Sequence, residues 1–171
     1  MYALKPDEKT TKVMIYSLTS LVRGELINKE NVRVSTWLRT EGVPEVIHIL
    51  RAQVLYLTAS PFKTVNYPDL LYPSGQIIAM HIVPPASDPP DYDASEQMRM
   101  MQLITILLGT FTIKGKLRIS TKSDVITSLE SARAVWTSIY EADISNSYLP
   151  QLALQAPMML VRTSQVGFGI E

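Results

Sequence analysis

The sequence predicts a mainly β protein built from two similar small modules in tandem, each barrel- or sandwich-like and each with a short helix. Three observations support this fold class. Residues 21–38 and 113–129 match each other at a constant spacing, which indicates an internal repeat. Both stretches lie in segments rich in β-branched and aromatic residues, which favour strands. Residues 84–98 between them are rich in proline and aspartate, as is typical of a linker.

The internal repeat rests on four residue pairs that share a spacing of 91: Gly24 with Gly115, Leu26 with Leu117, Leu38 with Leu129, and Arg23 with Lys114. After one deleted residue the match resumes, with Ala52 against Ala142. A competing alignment pairs VRVST at 32–36 with LRIST at 117–121, but it leaves the two alanine segments out of register. We prefer the longer alignment, which predicts a duplicated module.

The first module, residues 1–83, contains three segments with the composition of strands: 12–27, 46–58 and 76–83. Residues 32–39 are predicted to form a short strand or a helical turn. Segment 59–75 contains three prolines, which forbid a central strand and predict a loop.

The second module, residues 99–171, repeats this plan. Its predicted elements are a long strand at 103–119, a helix after Ser123-Asp124, a strand near 135–144, a loop at Pro150 and a final strand at 158–168. Ser123 or Asp124 can cap the helix by accepting a hydrogen bond from a free backbone N–H. Residues 84–98, between the modules, have too few large aliphatic side chains to order themselves and are predicted to form an extended linker.

Gly24 and Gly115 lie inside predicted strands rather than at their ends. A glycine in a strand often marks a bulge, a sharp bend or a close backbone approach. Because the two glycines occupy matched positions in the repeat, we predict such a bend at both.

The repeat also carries a longer pattern. The residues of the second copy that fit it are Gly115, Leu117, Asp124, Leu129, Ala142, Asp143, Pro157, Leu160 and Val161. The first copy keeps Gly24, Leu26, Leu38, Ala52 and Gln53 but has Gln76-Ile77-Ile78 in place of the closing proline-containing strand. With these residues each copy resembles a small uncharacterised bacterial β-domain family, a domain of unknown function. The resemblance implies the fold and the duplication, and it implies no activity.

Composition limits the classes of function. The 171 residues include sixteen basic and sixteen acidic side chains, so no net charge draws the chain to nucleic acid or to an anionic membrane. The absence of cysteine excludes disulfides, thiolate nucleophiles and cysteine-ligated metals. Neither a signal-peptide core at the start nor an apolar stretch of bilayer length is present, and we expect a soluble cytoplasmic protein.

Few residues suggest catalysis or metal binding. His48 and His81 each lie within an apolar strand pattern, where a structural role is the usual one, and no metal-ligand or nucleophile motif accompanies them. Asp88, Asp91 and Asp93 lack the glycine turn and distal glutamate of a calcium loop, and we expect them to be solvated. We therefore predict no catalytic residue, no metal and no cofactor.

Lys114, Lys116 and Arg118 occupy alternate positions of a predicted strand and are expected to point to one face. Such a row could bind phosphate groups. It is also what the wet face of an amphipathic strand looks like, and no cluster of aromatic side chains joins it for base stacking.

If residues 103–119 form one strand, the face that carries Lys114 becomes apolar toward the start of that strand. The apolar residues on this face are Ile104, Ile106 and Leu108, with Val13 and Ile15 at the corresponding places of the first module. Such a face needs a cover, either from the other copy within the chain or from a second subunit. Met98, Met100 and Met101 favour the second subunit, because flexible thioether side chains suit interfaces.

From the sequence we expect a non-enzymatic, self-assembling structural or scaffolding protein whose partner is a second copy of itself. The first alternative is a binding module for an anionic ligand or nucleic acid that uses the Lys114, Lys116 and Arg118 strand. A further alternative is a small enzyme that uses His48 or His81.

Overall fold

A computed structural model describes residues 2–40 and 42–170. The chain divides into two compact units between Asp88 and Pro89, a point that lies within the proline- and aspartate-rich segment 84–98. Strands dominate both units, so the predicted mainly β fold is confirmed.

The first unit is a five-stranded antiparallel sheet with one short helix and one 3-10 turn. Its elements are β1 (Glu8–Tyr16), β2 (Ser20–Lys29), α1 (Val34–Leu38), β3 (Val46–Tyr56), β4 (Lys63–Pro73), the 3-10 turn Ser74–Gln76 and β5 (Ala79–Ile82). The strand order is β5-β1-β2-β3-β4. Side chains on one face, such as Val13, Val22, Leu26 and Ile49, are fully buried and form the core.

The second unit has the same succession of elements. They are β6 (Arg99–Leu108), β7 (Phe111–Ser120), α2 (Val125–Ala132), β8 (Trp136–Asn146), β9 (Leu154–Arg162), the 3-10 turn Thr163–Gln165 and β10 (Gly167–Ile170). The strand order is β10-β6-β7-β8-β9, which repeats that of the first unit strand for strand. Within each unit the order of the described strands is linear, so the sheet is open.

Each predicted long strand is in fact a hairpin. The segment 103–119 reverses at Gly109-Thr110, where Gly109 has a φ of 55° and Leu108 pairs with Phe111. A two-residue hairpin turn requires this left-handed conformation, which glycine adopts at little cost. In the first unit, Ser17 makes the turn by accepting a hydrogen bond from the Ser20 backbone N–H on its Oγ, at 3.0 Å. The prediction of single uninterrupted strands was wrong.

The predicted proline loop is wrong as well, because residues 63–73 form β4. This strand is the edge of the first sheet, where a missing N–H donor is tolerated. Pro68 lies opposite Arg51, a residue that the β3–β4 register skips, so no ladder hydrogen bond is lost there. The prolines therefore exclude a central strand, as expected, and permit an edge strand.

The predicted helix after Ser123-Asp124 is confirmed as α2. The Asp124 carboxylate accepts a hydrogen bond from the backbone N–H of Thr127 at 2.7 Å, so Asp124 is the cap. This hydrogen bond to the charged form lowers the pKa of the Asp124 carboxyl. In the first unit, residues 34–38 are helical, which decides between the strand and the helical turn that the sequence allowed.

The predicted irregularity at Gly24 and Gly115 is confirmed as a β-bulge in each unit. The β2–β3 register shifts at Gly24, and the β7–β8 register shifts at Gly115. The extra residue on the facing strand is Arg51 in the first unit and Glu141 in the second, with φ values of 49° and 50°. Pro68 and Pro157 lie opposite these two residues on the next strand.

Glycine is required at these bulges because the neighbouring strand comes too close for a side chain. A Cβ on Gly24 would lie 2.4 Å from Ile49 Cγ2 and 3.1 Å from the Leu50 carbonyl oxygen. On Gly115 it would lie 2.6 Å from Ile139 Cγ2 and 3.1 Å from the Tyr140 carbonyl oxygen. The same contact is thus made by equivalent groups in both units.

We predict that Gly24→Val and Gly115→Val each destabilise the protein by about 1–3 kcal/mol, since the added carbons must displace a β-branched neighbour and backbone. Chemical denaturation followed by far-UV circular dichroism measures this loss. Gly75→Val is the control, because a Cβ on Gly75 meets nothing within 4 Å. Wild-type stability of both bulge variants would contradict the steric argument.

Candidate functional site

The two bulges carry ion pairs of opposite orientation. In the first unit, the Arg51 guanidinium donates two hydrogen bonds to the Glu25 carboxylate, with Nε 3.1 Å from Oε1 and Nη2 bonded to Oε2. In the second unit, the Lys116 ammonium lies 2.5 Å from Oε2 of Glu141. The bulge residue is therefore the cation in one unit and the carboxylate in the other. The two exposed faces share the geometry of the ion pair, and the positions of the positive and negative charges are exchanged.

The predicted cation row of Lys114, Lys116 and Arg118 is already occupied by partners of the same unit. Lys116 pairs with Glu141, and Lys114 lies opposite Asp143 in the β7–β8 register. Arg118 lies 2.6 Å from Oε2 of Glu96, donates to the Asp93 carbonyl oxygen at 2.8 Å and stacks 4.6 Å above the Tyr92 ring. Carboxylates thus neutralise the face that the sequence suggested for anion binding.

The side chains predicted as an oligomer interface are buried within the single chain. Their exposed fractions are at most 2% for Ile104, Ile106, Leu108, Val13 and Ile15. The hairpin turn explains the discrepancy, because it places Ile106 opposite Ile113 on the buried face and Thr105 opposite Lys114 on the exposed face. A cover for these five side chains is already present in the chain, and any oligomer must use other residues.

A different apolar surface lies on the exposed face of β6. Leu103 and Leu107 point outward with 59% and 56% of their surface exposed, and we call this pair the β6 strip. Leu107 is next to Gly167 of β10, which leaves the strip uncovered on that side. The sequence signal for the strip was the run Leu103–Leu108, which is apolar on both faces of the strand.

The strand β10 forms the edge of the second sheet. It pairs with β6 on one side, and no described strand pairs with its other side. Edge strands with small side chains and no charge present unpaired N–H and C=O groups to a partner strand. β10 reads Gly-Phe-Gly-Ile and has none of the charged or proline residues that usually protect an edge.

His81 is buried, with 3% of its surface exposed. Its Nδ1 lies 2.9 Å from the Ile82 carbonyl oxygen, which can only accept, so Nδ1 carries the proton. The Tyr16 hydroxyl then donates to Nε2 at 3.0 Å. Burial lowers the pKa of the His81 imidazole and raises that of the Tyr16 hydroxyl, so both groups are held neutral.

His48 lies in a more open position. Its Nε2 is 2.6 Å from Oδ1 of Asp69 on the neighbouring strand, and its ring meets the Tyr2 ring edge to face at 4.5 Å. The hydrogen bond from His48 lowers the pKa of the Asp69 carboxyl. Both histidines bond to groups of their own unit, and their structural role stays a prediction.

The aspartates of the segment between the units make specific hydrogen bonds, which the sequence did not predict. Asp88 accepts from the Ser35 hydroxyl at 2.7 Å and from the Ser35 backbone N–H at 3.2 Å. Asp91 accepts from Ser138 at 2.7 Å and from the Tyr140 hydroxyl. Among residues 2–40 and 42–170, no group of three histidine, aspartate or glutamate side chains is placed to hold a metal ion.

Within the described part of the chain, no helix has both the length and the apolar character needed to cross a membrane. Comparisons with family models, with curated proteins and with solved structures found no match to this chain. The resemblance to a bacterial β-domain family therefore stays a prediction.

The burial of His81 predicts a pH-dependent stability. Because its pKa is lower in the folded than in the unfolded state, the unfolded chain binds more protons below the unfolded value of about 6.5. The contribution of His81 to the free energy of unfolding should therefore be constant above that pH and should decrease as the pH falls below it. His81→Gln should remove this component, because glutamine can still accept from Tyr16 and does not titrate.

Urea denaturation at several pH values between 8 and about 5 measures this effect. His48→Gln is the control and should retain the decrease, since it leaves His81 in place. An identical decrease in the His81→Gln variant would contradict the assignment.

Ile106→Lys is expected to destabilise the fold by about 3 kcal/mol or more, because the new ammonium would be buried without a partner. Leu107→Lys, one residue away on the exposed face, should change the free energy of unfolding of the single subunit by less than about 0.5 kcal/mol when the protein is dilute enough for the wild type to be monomeric. Thermal unfolding of the two variants checks the assignment of faces. Equal stabilities would show that the register is wrong.

Proposed function

We propose that this protein is a non-enzymatic scaffolding component of the cytoplasm that assembles with copies of itself and is built from a duplicated β-module. The observation that carries the proposal is the β6 strip, which lies exposed beside the short edge strand β10. Leu103 and Leu107 expose apolar area on a sheet face, and a partner that covers them would remove that area from water.

The arrangement favours a second copy of the chain as the partner. Two copies can pack their β6 strips face to face about a two-fold axis, which is the commonest symmetry of soluble oligomers. That packing would cover Leu103 and Leu107 of each copy, which edge-to-edge pairing of β10 would leave exposed on one side of the joined sheets.

The duplication is supported by agreement at several independent levels. Strand order, bulge position, the glycine at the bulge and the proline opposite it recur in both units. A chance resemblance between two β-sheets would not be expected to reproduce all four.

We predict that the wild-type protein forms a dimer or a larger oligomer at micromolar concentration and that Leu103→Lys with Leu107→Lys shifts it to a folded monomer. Charged side chains on the strip would have to be desolvated on association, which is costly without a partner. Light scattering and native mass spectrometry measure the subunit number.

Ile126→Lys provides the matched control, because Ile126 is also 59% exposed in the second unit but lies on α2. It should leave the oligomer unchanged. A wild-type protein that is monomeric throughout this concentration range would refute self-assembly, and an oligomer that survives the double substitution would refute the strip as its interface.

A further inference from the structure

The first unit contains a polar cleft on the exposed face of its sheet, with a volume of about 310 Å³. Four strands contribute side chains to it. They are Lys12 from β1, Arg23 and Glu25 from β2, Arg51 and Gln53 from β3, and Asn66 from β4. The register sets them in two rows, because Lys12 faces Glu25, and Arg23 faces Gln53, which faces Asn66.

The charges of this cleft are not balanced. Three cations and one carboxylate line it, and the Arg51 guanidinium already binds the Glu25 carboxylate through two hydrogen bonds. The hydrogen bonds and ion pairs among the described residues include neither the Lys12 ammonium nor the Arg23 guanidinium. Two positive charges therefore remain for a ligand.

The bulge gives the cleft a fixed wall. Arg51 is the extra residue of β3, and its left-handed conformation directs its side chain to the exposed face, where it holds Glu25. The side chain of Glu25 is only 15% exposed and that of Arg51 is 66% exposed, so the carboxylate lies within the sheet surface and holds a guanidinium that faces solvent. A site held by rigid strands loses little conformational entropy when a ligand binds.

The second unit provides an internal comparison. At the corresponding places it has Leu103 for Lys12, Lys114 for Arg23, Lys116 for Glu25, Glu141 for Arg51 and Asp143 for Gln53. Two cations and two carboxylates cancel there, and a leucine replaces the lysine. The same scaffold is thus positively charged and polar in the first unit only.

We propose that the cleft of the first unit binds a small soluble phosphate ester of a sugar or polyol. Lys12 and Arg23 are suited to the phosphate, since charge-assisted hydrogen bonds to an oxyanion are the strong ones. The Gln53 and Asn66 amides and the Glu25 carboxylate offer donors and acceptors for hydroxyl groups. The lining contains no aromatic side chain, which argues against a nucleobase or a single-stranded nucleic acid.

Isothermal titration of the full chain with glucose 6-phosphate, inorganic phosphate, glucose and AMP tests the proposal. Glucose 6-phosphate is expected to bind most tightly of the four compounds, and its affinity is expected to fall as salt is added. Lys12→Gln and Arg23→Gln should each reduce its affinity by about tenfold or more, because each removes a charged hydrogen-bond donor. Both side chains are exposed, so both variants should fold, and their thermal unfolding is checked alongside.

Lys114→Gln, the counterpart of Arg23 in the second unit, is the control and should bind as the wild type does. The proposal is overturned if wild-type protein binds none of the four compounds, if Lys114→Gln loses as much affinity as Arg23→Gln, or if AMP binds more tightly than glucose 6-phosphate. Phosphatidylcholine vesicles that contain a phosphoinositide form a further arm. Binding to those vesicles, without binding to the soluble ester, would assign the cleft to a lipid headgroup. It would overturn the proposal that the ligand is a soluble phosphate ester.

Discussion

The close approach of two strands at Gly24, and again at Gly115, is the constraint on which both units depend. A backbone carbonyl and a β-branched methyl group occupy the space that a Cβ would need, so the bulge, the left-handed residue opposite it and the register of the third and fourth strands are fixed together. Because the bulged residue faces a proline, the neighbouring strand, β4 or β9, loses no hydrogen bond to it at that point. One steric condition therefore determines the position of every exposed side chain around it.

Much of the fold could be predicted from the sequence, because glycine, proline and the capping aspartate act locally. Gly24, Gly115 and Asp124 were interpreted correctly for that reason. The hairpin turns were not, since the turn at Ser17 is made by a serine side chain bonding to the backbone, and Gly109-Thr110 is not one of the glycine pairs that usually mark such a turn.

The candidate surfaces were misplaced as a consequence of the missed hairpins. A two-residue turn reverses the chain and puts residues of opposite parity on one face, so Thr105 rather than Ile106 lies beside Lys114. The alternation of apolar and polar residues is the same in either case, and the face that it buries depends on a pairing between distant residues. Strand alternation alone predicted two faces with different properties; only the register shows which is buried.

The exchange of charge at the two bulges separates what the module requires from what it tolerates. An exposed ion pair contributes at most about 1 kcal/mol to the free energy of unfolding, and exchanging its cation and carboxylate changes that contribution little. The pair of Glu25 with Arg51 and the pair of Lys116 with Glu141 are therefore nearly equivalent for stability. The steric contact at the glycine has no such alternative. In the duplication that we propose, the exposed side chains are free to change while the bulge is kept, and this freedom accounts for a basic polar cleft on one unit and an apolar strip on the other.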